Sequence, residues 1–191
     1  RAAEKLKELQ IDFDMIGPSH GIIWRGNPKK IVDAYLRWSS GAAEDKAVVV
    51  YDTMWGSTEK MAKAIAEGIA QSGIKVGIYS LRKSDQSEIM KEILLSRAVL
   101  VGSPTLNNGV FPPIAGFLTY MKGLKPRNKV GAAFGSYGWG RGAVAATEKE
   151  LTAMGFALEP SLEVQYRPNE EELVKCRALG MAIASKLKMP K

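Results

Sequence analysis

Apolar residues recur along this chain in two alternating patterns. Short, nearly continuous β-branched runs suit strands buried on both faces, and longer stretches with apolar positions three and four apart suit amphipathic helices. From residue 46 onward the two alternate regularly. Lys46–Tyr51, with Ala47-Val48-Val49-Val50 at its centre, predicts strand 1, and Ser57–Ser72 predicts helix 1, stopped by Gly73. Strand 2 is expected at Lys75–Ser80 and helix 2 at Gln86–Leu95, capped by Ser84 or Asp85. Strand 3 follows at Ala98–Gly102, then helix 3 at Pro113–Met121, entered through Pro112-Pro113. Strand 4 is expected at Lys129–Gly135, helix 4 at Gly142–Met154, strand 5 at Ala157–Val164 and helix 5 at Asn169–Leu187. Strict strand–helix alternation implies an α/β fold with a parallel sheet covered on both faces. Five such units suit a doubly wound five-stranded sheet of order 2-1-3-4-5.

The first 40 residues follow a different pattern. Glu4–Leu9 reads as the end of a helix, Asp12–Ile16 as a short strand and Gly17-Pro18-Ser19-His20-Gly21 as a turn. Asn27-Pro28 is a helix start, and Lys29–Trp38 carries Ile31, Tyr35 and Trp38 on roughly one face. Small and polar residues 41–45 form a linker, dividing a leading segment (1–40) from the main domain (46–191). The chain opens on Arg1 in helical pattern, and the expectation is that it is the carboxy-terminal part of a longer polypeptide.

Three loops carry the chemistry. In sheets of this order, ligands bind beyond the carboxyl ends of the strands where the order reverses, between strands 1 and 3, with strand 4 adjacent. The loop after strand 1 is Thr53-Met54-Trp55-Gly56-Ser57-Thr58. It joins a strand to a helix N-terminus, whose unpaired N–H groups and positive dipole end can receive a phosphate. It matches neither G-x-x-x-x-G-K-S/T nor G-x-G-x-x-G, which argues against nucleotide hydrolysis and dinucleotide binding. A neutral, hydroxyl-rich cradle suits a phosphate monoester that is held and not transferred, and FMN is the common cofactor of that kind. Ser57 and Thr58 also suit a plain helix cap. After strand 3 come Ser103-Pro104-Thr105-Leu106-Asn107-Asn108-Gly109-Val110-Phe111-Pro112-Pro113, whose amides and hydroxyls can bond the polar edge of a flat ring. Gly109, or the Asn-Gly pair, would allow a peptide there to reorient. At the end of strand 4 come Gly135-Ser136-Tyr137-Gly138-Trp139-Gly140-Arg141-Gly142, where glycines permit close approach while Tyr137 and Trp139 offer ring faces. Trp55 offers another. Each aromatic alone also suits packing; together the loops point to a planar, phosphorylated cofactor.

Composition narrows the field. Lys and Arg number 27 against 20 Asp and Glu, for a net charge of +7, but the basic residues are scattered. That argues against nucleic acid as partner and leaves a solvated basic surface able to help dock an acidic redox protein. A single cysteine, Cys176, excludes an intrachain disulfide and reads as a core filler. No stretch is long and apolar enough for a membrane span and no signal peptide is visible, so a cytoplasmic location is expected.

The three loops, in this order and strand context, resemble the FMN loops of the flavodiiron proteins (A-type flavoproteins), over about Lys46 to Leu187. The leading segment is similar as well: Gly17-Pro18-Ser19-His20-Gly21-Ile22-Ile23-Trp24-Arg25 resembles the end of that family's metallo-β-lactamase-like domain. The resemblance implies a flavodoxin-like FMN domain and a remnant of the oxidase domain, with His20 a ligand of a di-iron centre in the full-length protein. One histidine cannot build such a centre, so no iron is expected in this chain. The family reduces dioxygen to water or nitric oxide to nitrous oxide at the irons. FMN supplies the electrons, and a head-to-tail homodimer sets each flavin near the partner's di-iron domain. Rubredoxin or a reduced cofactor is the implied donor. With no acidic residue in the loops and Arg141 in the third, the last one-electron reduction of FMN is expected at a less negative potential than in flavodoxins with acidic loops. The alternative is an FMN-dependent NAD(P)H:quinone oxidoreductase, although no insertion supplies a pocket for its substrates. A receiver domain is disfavoured because Gly102-Ser103 stands where its aspartate would be.

Overall fold

The computed structural model describes residues 12–189 together with Lys5 and Glu8. The helix expected at Glu4–Leu9 falls largely outside these residues. The chain forms two compact units, residues 1–42 and 43–191.

In the first unit, helix α1 (Pro28–Ser39) starts as expected: Lys30 N–H donates to Asn27 Oδ1, and Pro28 occupies the first turn. Tyr35 and Trp38 meet edge to face, with ring centroids 5.4 Å apart. The strand expected at Asp12–Ile16 is not formed; Ile16 alone pairs, antiparallel, with Trp24.

The second unit is built on β1 (Glu44–Tyr51), α2 (Ser57–Gln71), β2 (Lys75–Ser80), α3 (Gln86–Leu95) and β3 (Ser96–Gly102). A short hairpin, β4 (Thr105–Leu106) and β5 (Gly109–Val110), precedes α4 (Pro112–Leu124). Then come β6 (Val130–Tyr137), α5 (Ala143–Ala153), β7 (Ala157–Leu158), β8 (Leu162–Gln165) and α6 (Glu170–Lys188). The parallel sheet runs β2-β1-β3-β6, and both β7 and β8 pair with β6 at the far edge. This is the expected 2-1-3-4-5 order, with the fifth strand broken. The break falls at Glu159-Pro160-Ser161, because proline has no N–H to offer a ladder. Ser161 Oγ repairs the gap by accepting from Ala133 N–H at 3.1 Å. Glu44 and Asp45, expected in the linker, belong to β1.

Period-two alternation divides the core. Ala47, Val49 and Tyr51 face α2 and α6, while Val48 and Val50 face α3 and α4. Helix starts follow local chemistry: Asp85 caps α3, and Asn169 with Glu172 forms a reciprocal capping box on α6. Among the described residues no helix is long and apolar enough to cross a membrane.

Cys176 lies fully buried in the α2/α6 layer, and burial pushes its thiol up to about 12. In the unfolded chain the thiol ionises near ~8.5. Its neutral burial therefore contributes its full share of stability below that pH and loses it as pH rises toward the folded value. The native protein should resist a thiol-specific reagent at neutral pH and react fully once unfolded by denaturant; rapid native-state labelling would contradict this placement.

Candidate functional site

β1 and β3 are adjacent, yet their following helices lie on opposite faces of the sheet, which opens a cleft at their carboxyl ends. The three loops meet there around a cavity of about 510 Å³, within the range of cofactor sites. Thr53, Met54, Trp55, Ser57, Pro104, Thr105, Leu106, Asn107, Ser136, Tyr137, Gly138, Trp139 and Gly140 line it, joined by Asn108 and Tyr166. No charged side chain is among the lining residues.

Gly56, Thr58, Ser103 and Gly109 are not among the lining residues. Gly56 is the N-cap of α2 at φ +85, a backbone state that favours glycine, and its N–H donates to Thr53 Oγ1 at 3.0 Å. No side chain caps α2, so Ser57 and Thr58 are not the helix cap that local pattern also allowed. The first-turn N–H groups of Ser57, Thr58 and Glu59 have no acceptor within the helix. Thr58 is buried, its hydroxyl 3.2 Å from that of Ser136, which ties the first loop to the third. Ser103 is buried too; its hydroxyl donates to Pro104 O and accepts from Phe111 N–H, clamping both ends of the second loop. At Gly135 a Cβ would lie 2.0 Å from Ser103 O, so only glycine lets the second loop approach β6.

The second loop differs in detail from expectation. Asn107 and Asn108, at φ 49 and 58, form the turn of the β4–β5 hairpin, while Gly109 pairs with Leu106. The two asparagines supply the left-handed backbone, as asparagine does in two-residue hairpin turns. Thr105 Oγ1 accepts from Ala143 N–H at 3.2 Å, so this hairpin also caps α5.

Charges stand around the cleft in neutralising pairs. Asp52 is fully buried below the first loop, where it accepts from Thr53 N–H at 2.7 Å and pairs with Arg82 at 2.9 Å. The Arg82 guanidinium lies 5.6 Å from the centre of the Phe111 ring. Glu59, in the first turn of α2, is held ionised, its pKa lowered chiefly by its hydrogen bond to Lys63 at 2.8 Å. Arg141 lies over the ring of Tyr137, 4.9 Å from its centre, and donates to the Tyr137 hydroxyl at 3.1 Å.

Glu163 Oε2 approaches Arg141 Nε at 3.4 Å. This amends the expectation of a lone guanidinium, because Glu163 offsets its charge. Glu163→Gln is therefore expected to raise the last one-electron potential of the bound flavin, and Arg141→Gln to lower it, each by tens of millivolts. A redox titration of the loaded variants checks this; potentials unchanged in both would show the pair to be uncoupled from the ring.

A flavodoxin family model matches residues 49–180. The chain belongs to the flavodoxin family. It is 46% identical over 186 residues to a nitric oxide reductase of Moorella thermoacetica, covering 96% of this chain and 47% of that protein. Rubredoxin oxygen:oxidoreductase from Desulfovibrio gigas superposes with a TM-score of 0.92 at 38% identity, over 98% of this chain and 47% of that one. The flavodiiron protein of Giardia intestinalis superposes with a TM-score of 0.90 at 28% identity, over 97% and 47%. The resemblance to flavodiiron proteins read from the three loops is thus borne out, and the chain spans about half the length of those relatives.

Its cofactor is FMN, which when bound takes up and releases electrons singly or in pairs. The cleft fits that group: N–H donors at the start of α2, hydroxyls and aromatic rings along its lining, and no carboxylate among the lining residues to repel a phosphate. Trp55 and Trp139 are 93% and 99% exposed, so both rings are free to turn onto a flat ligand.

Loop identity and strand context made most of this cleft legible from sequence. Asn108 was placed in the second loop but not singled out, and Tyr166 was missed. The Asn-Asn pair is itself a hairpin-turn signal. Tyr166 follows the last strand, a position that the switch-point rule leaves out.

Proposed function

We propose that this flavodoxin domain is the electron-carrying part of a flavodiiron protein. Its FMN takes electrons from rubredoxin or a reduced cofactor and passes them to a di-iron centre in the full-length protein, where nitric oxide or dioxygen is reduced. In this reading residues 1–40 are the end of a metallo-β-lactamase-like domain, and His20 is one ligand of that centre. His20 is exposed on the turn between Ile16 and Trp24, its Nδ1 3.2 Å from Ser19 Oγ. Among the described residues no group of three His, Cys, Asp or Glu could hold a metal. The remaining ligands would come from sequence beyond this chain, and a homodimer would bring the partner's di-iron domain to the flavin. The location proposed is cytoplasmic.

The observation that carries the reading is the neutral, three-loop cleft ending on the uncapped start of α2. The 46% identity to the Moorella nitric oxide reductase, across nearly all of this chain, adds support. In this reading the Ser57 and Thr58 N–H groups serve the phosphate, Thr105 to Asn107 the polar edge of the ring, and Trp55, Tyr137 and Trp139 its faces. No acid–base residue is required for outer-sphere electron transfer.

The test is reconstitution. The apoprotein titrated with FMN should turn yellow at one flavin per chain and quench tryptophan fluorescence, with FAD binding far more weakly. A preparation that takes up no FMN in excess overturns the proposal. Rapid oxidation of NAD(P)H with a quinone, without a partner protein, would instead favour a quinone oxidoreductase.

A further inference from the structure

Beyond the three loops, a fourth segment reaches the cleft. β8 ends at Gln165, and Tyr166 follows with φ 59, in the left-handed region. An L-residue with a large side chain adopts this backbone only when its surroundings hold it there. Here Tyr166 N–H donates to Tyr137 O at 2.7 Å, and Gln165 Nε2 donates to Gly138 O at 3.0 Å. Both bonds land on the third loop. The Tyr166 ring packs toward Gly138, where a Cβ would lie 3.8 Å from Cε1. It lines the cleft and is still 59% exposed.

Solvent alone explains none of this. An exposed tyrosine that only closed a turn would be served better by asparagine or glycine, which occupy the same backbone region at lower cost. Neither would extend a ring along the wall beside Tyr137 and Trp139.

We propose that Tyr166 is a further FMN-binding residue, a fourth wall of the site whose ring packs against the flavin. The inference rests on the FMN reading above and adds a contact outside the three loops. The ring, and not the hydroxyl, carries the contact, because the backbone bonds already orient the residue. The contact is with the flavin ring system and not with the phosphate, which the α2 end receives.

The test compares Tyr166→Asn, Tyr166→Gly and Tyr166→Phe with wild type. The ligands are FMN and riboflavin, read by flavin fluorescence, and the Tm of each apoprotein is measured alongside. Asn and Gly relieve the backbone strain, so their apoproteins should melt no lower than wild type. Both should nevertheless bind FMN and riboflavin about five- to tenfold more weakly, by the same factor for the two ligands. Tyr166→Phe should bind both within about twofold of wild type, having kept the ring. Unchanged affinity in Tyr166→Asn overturns the assignment. So does weaker binding that comes with a lowered apoprotein Tm, which would mark a purely structural role. A wild-type protein that binds riboflavin phosphate not at all overturns this inference and the cofactor reading together.

Discussion

Ser57→Asp is expected to weaken FMN binding at least ~100-fold while slightly stabilising the apoprotein. Ser57 occupies the first position of α2 and lines the cleft, and no side chain satisfies the N–H groups there. A carboxylate at this point interacts well with the helix dipole and its free donors, worth ~0.3–1 kcal/mol. The same carboxylate would stand where a phosphate monoester carrying about −1.5 to −2 charge must sit. Two like-charged groups a few ångströms apart at a protein surface repel by several kcal/mol, at ~1.4 kcal/mol per tenfold in affinity. The two effects have opposite signs, which separates a lost site from a damaged fold. Riboflavin, lacking the phosphate, should bind Ser57→Asp as it binds wild type, and the FMN defect should shrink in high salt. An equal loss for both flavins, measured by fluorescence titration, would mean that the phosphate is held elsewhere.

What the sequence disclosed, and what it withheld, divides along the range of the interactions involved. β1 and α2 were readable because their causes are local: a β-branched run followed by apolar positions at helical spacing, with glycine ending the helix. The Asn169 capping box is local as well. The fifth strand was misread as continuous because apolar residues on both sides of Pro160 mask the gap, and its repair by Ser161 depends on Ala133, 28 residues away. Ser136 and Tyr137 read as loop after Gly135, yet they extend β6 because β8 pairs with them. The Arg141–Glu163 pair joins the third loop to β8, which only the finished sheet brings together. Tyr166 is the extreme case: nothing in its neighbourhood in sequence favours a left-handed tyrosine, and its backbone is settled by Tyr137 O across the sheet. The loops that line the cleft were therefore visible early, while the residues that brace them from other strands were not.

Gly180→Ala is expected to destabilise the domain by ~2–4 kcal/mol, although alanine is the better helix former. α2 and α6 cross at very close range. A Cβ built at Gly180 would lie 2.2 Å from Ile65 O and 2.9 Å from Ile69 N, and one at Gly68 would lie 2.1 Å from Arg177 O. The obstructions are backbone atoms of the opposite helix, which no rotamer change can move aside. The methyl can be accommodated only by separating the helices, and that opens the fully buried layer of Ile65, Ile69, Cys176 and Ile183. Gly68→Ala should cost a similar amount. The double variant should cost less than the sum, because helices already pushed apart have room for the second methyl. Gly116 supplies the control: it lies in the exposed interior of α4, and a Cβ there meets nothing within 4 Å. Gly116→Ala should therefore stabilise by ~0.5–1 kcal/mol through helix propensity alone. Urea denaturation of the apoproteins reads all four. A Gly180→Ala midpoint that rises alongside Gly116→Ala would show that the spacing of α2 and α6 is not set by these glycines.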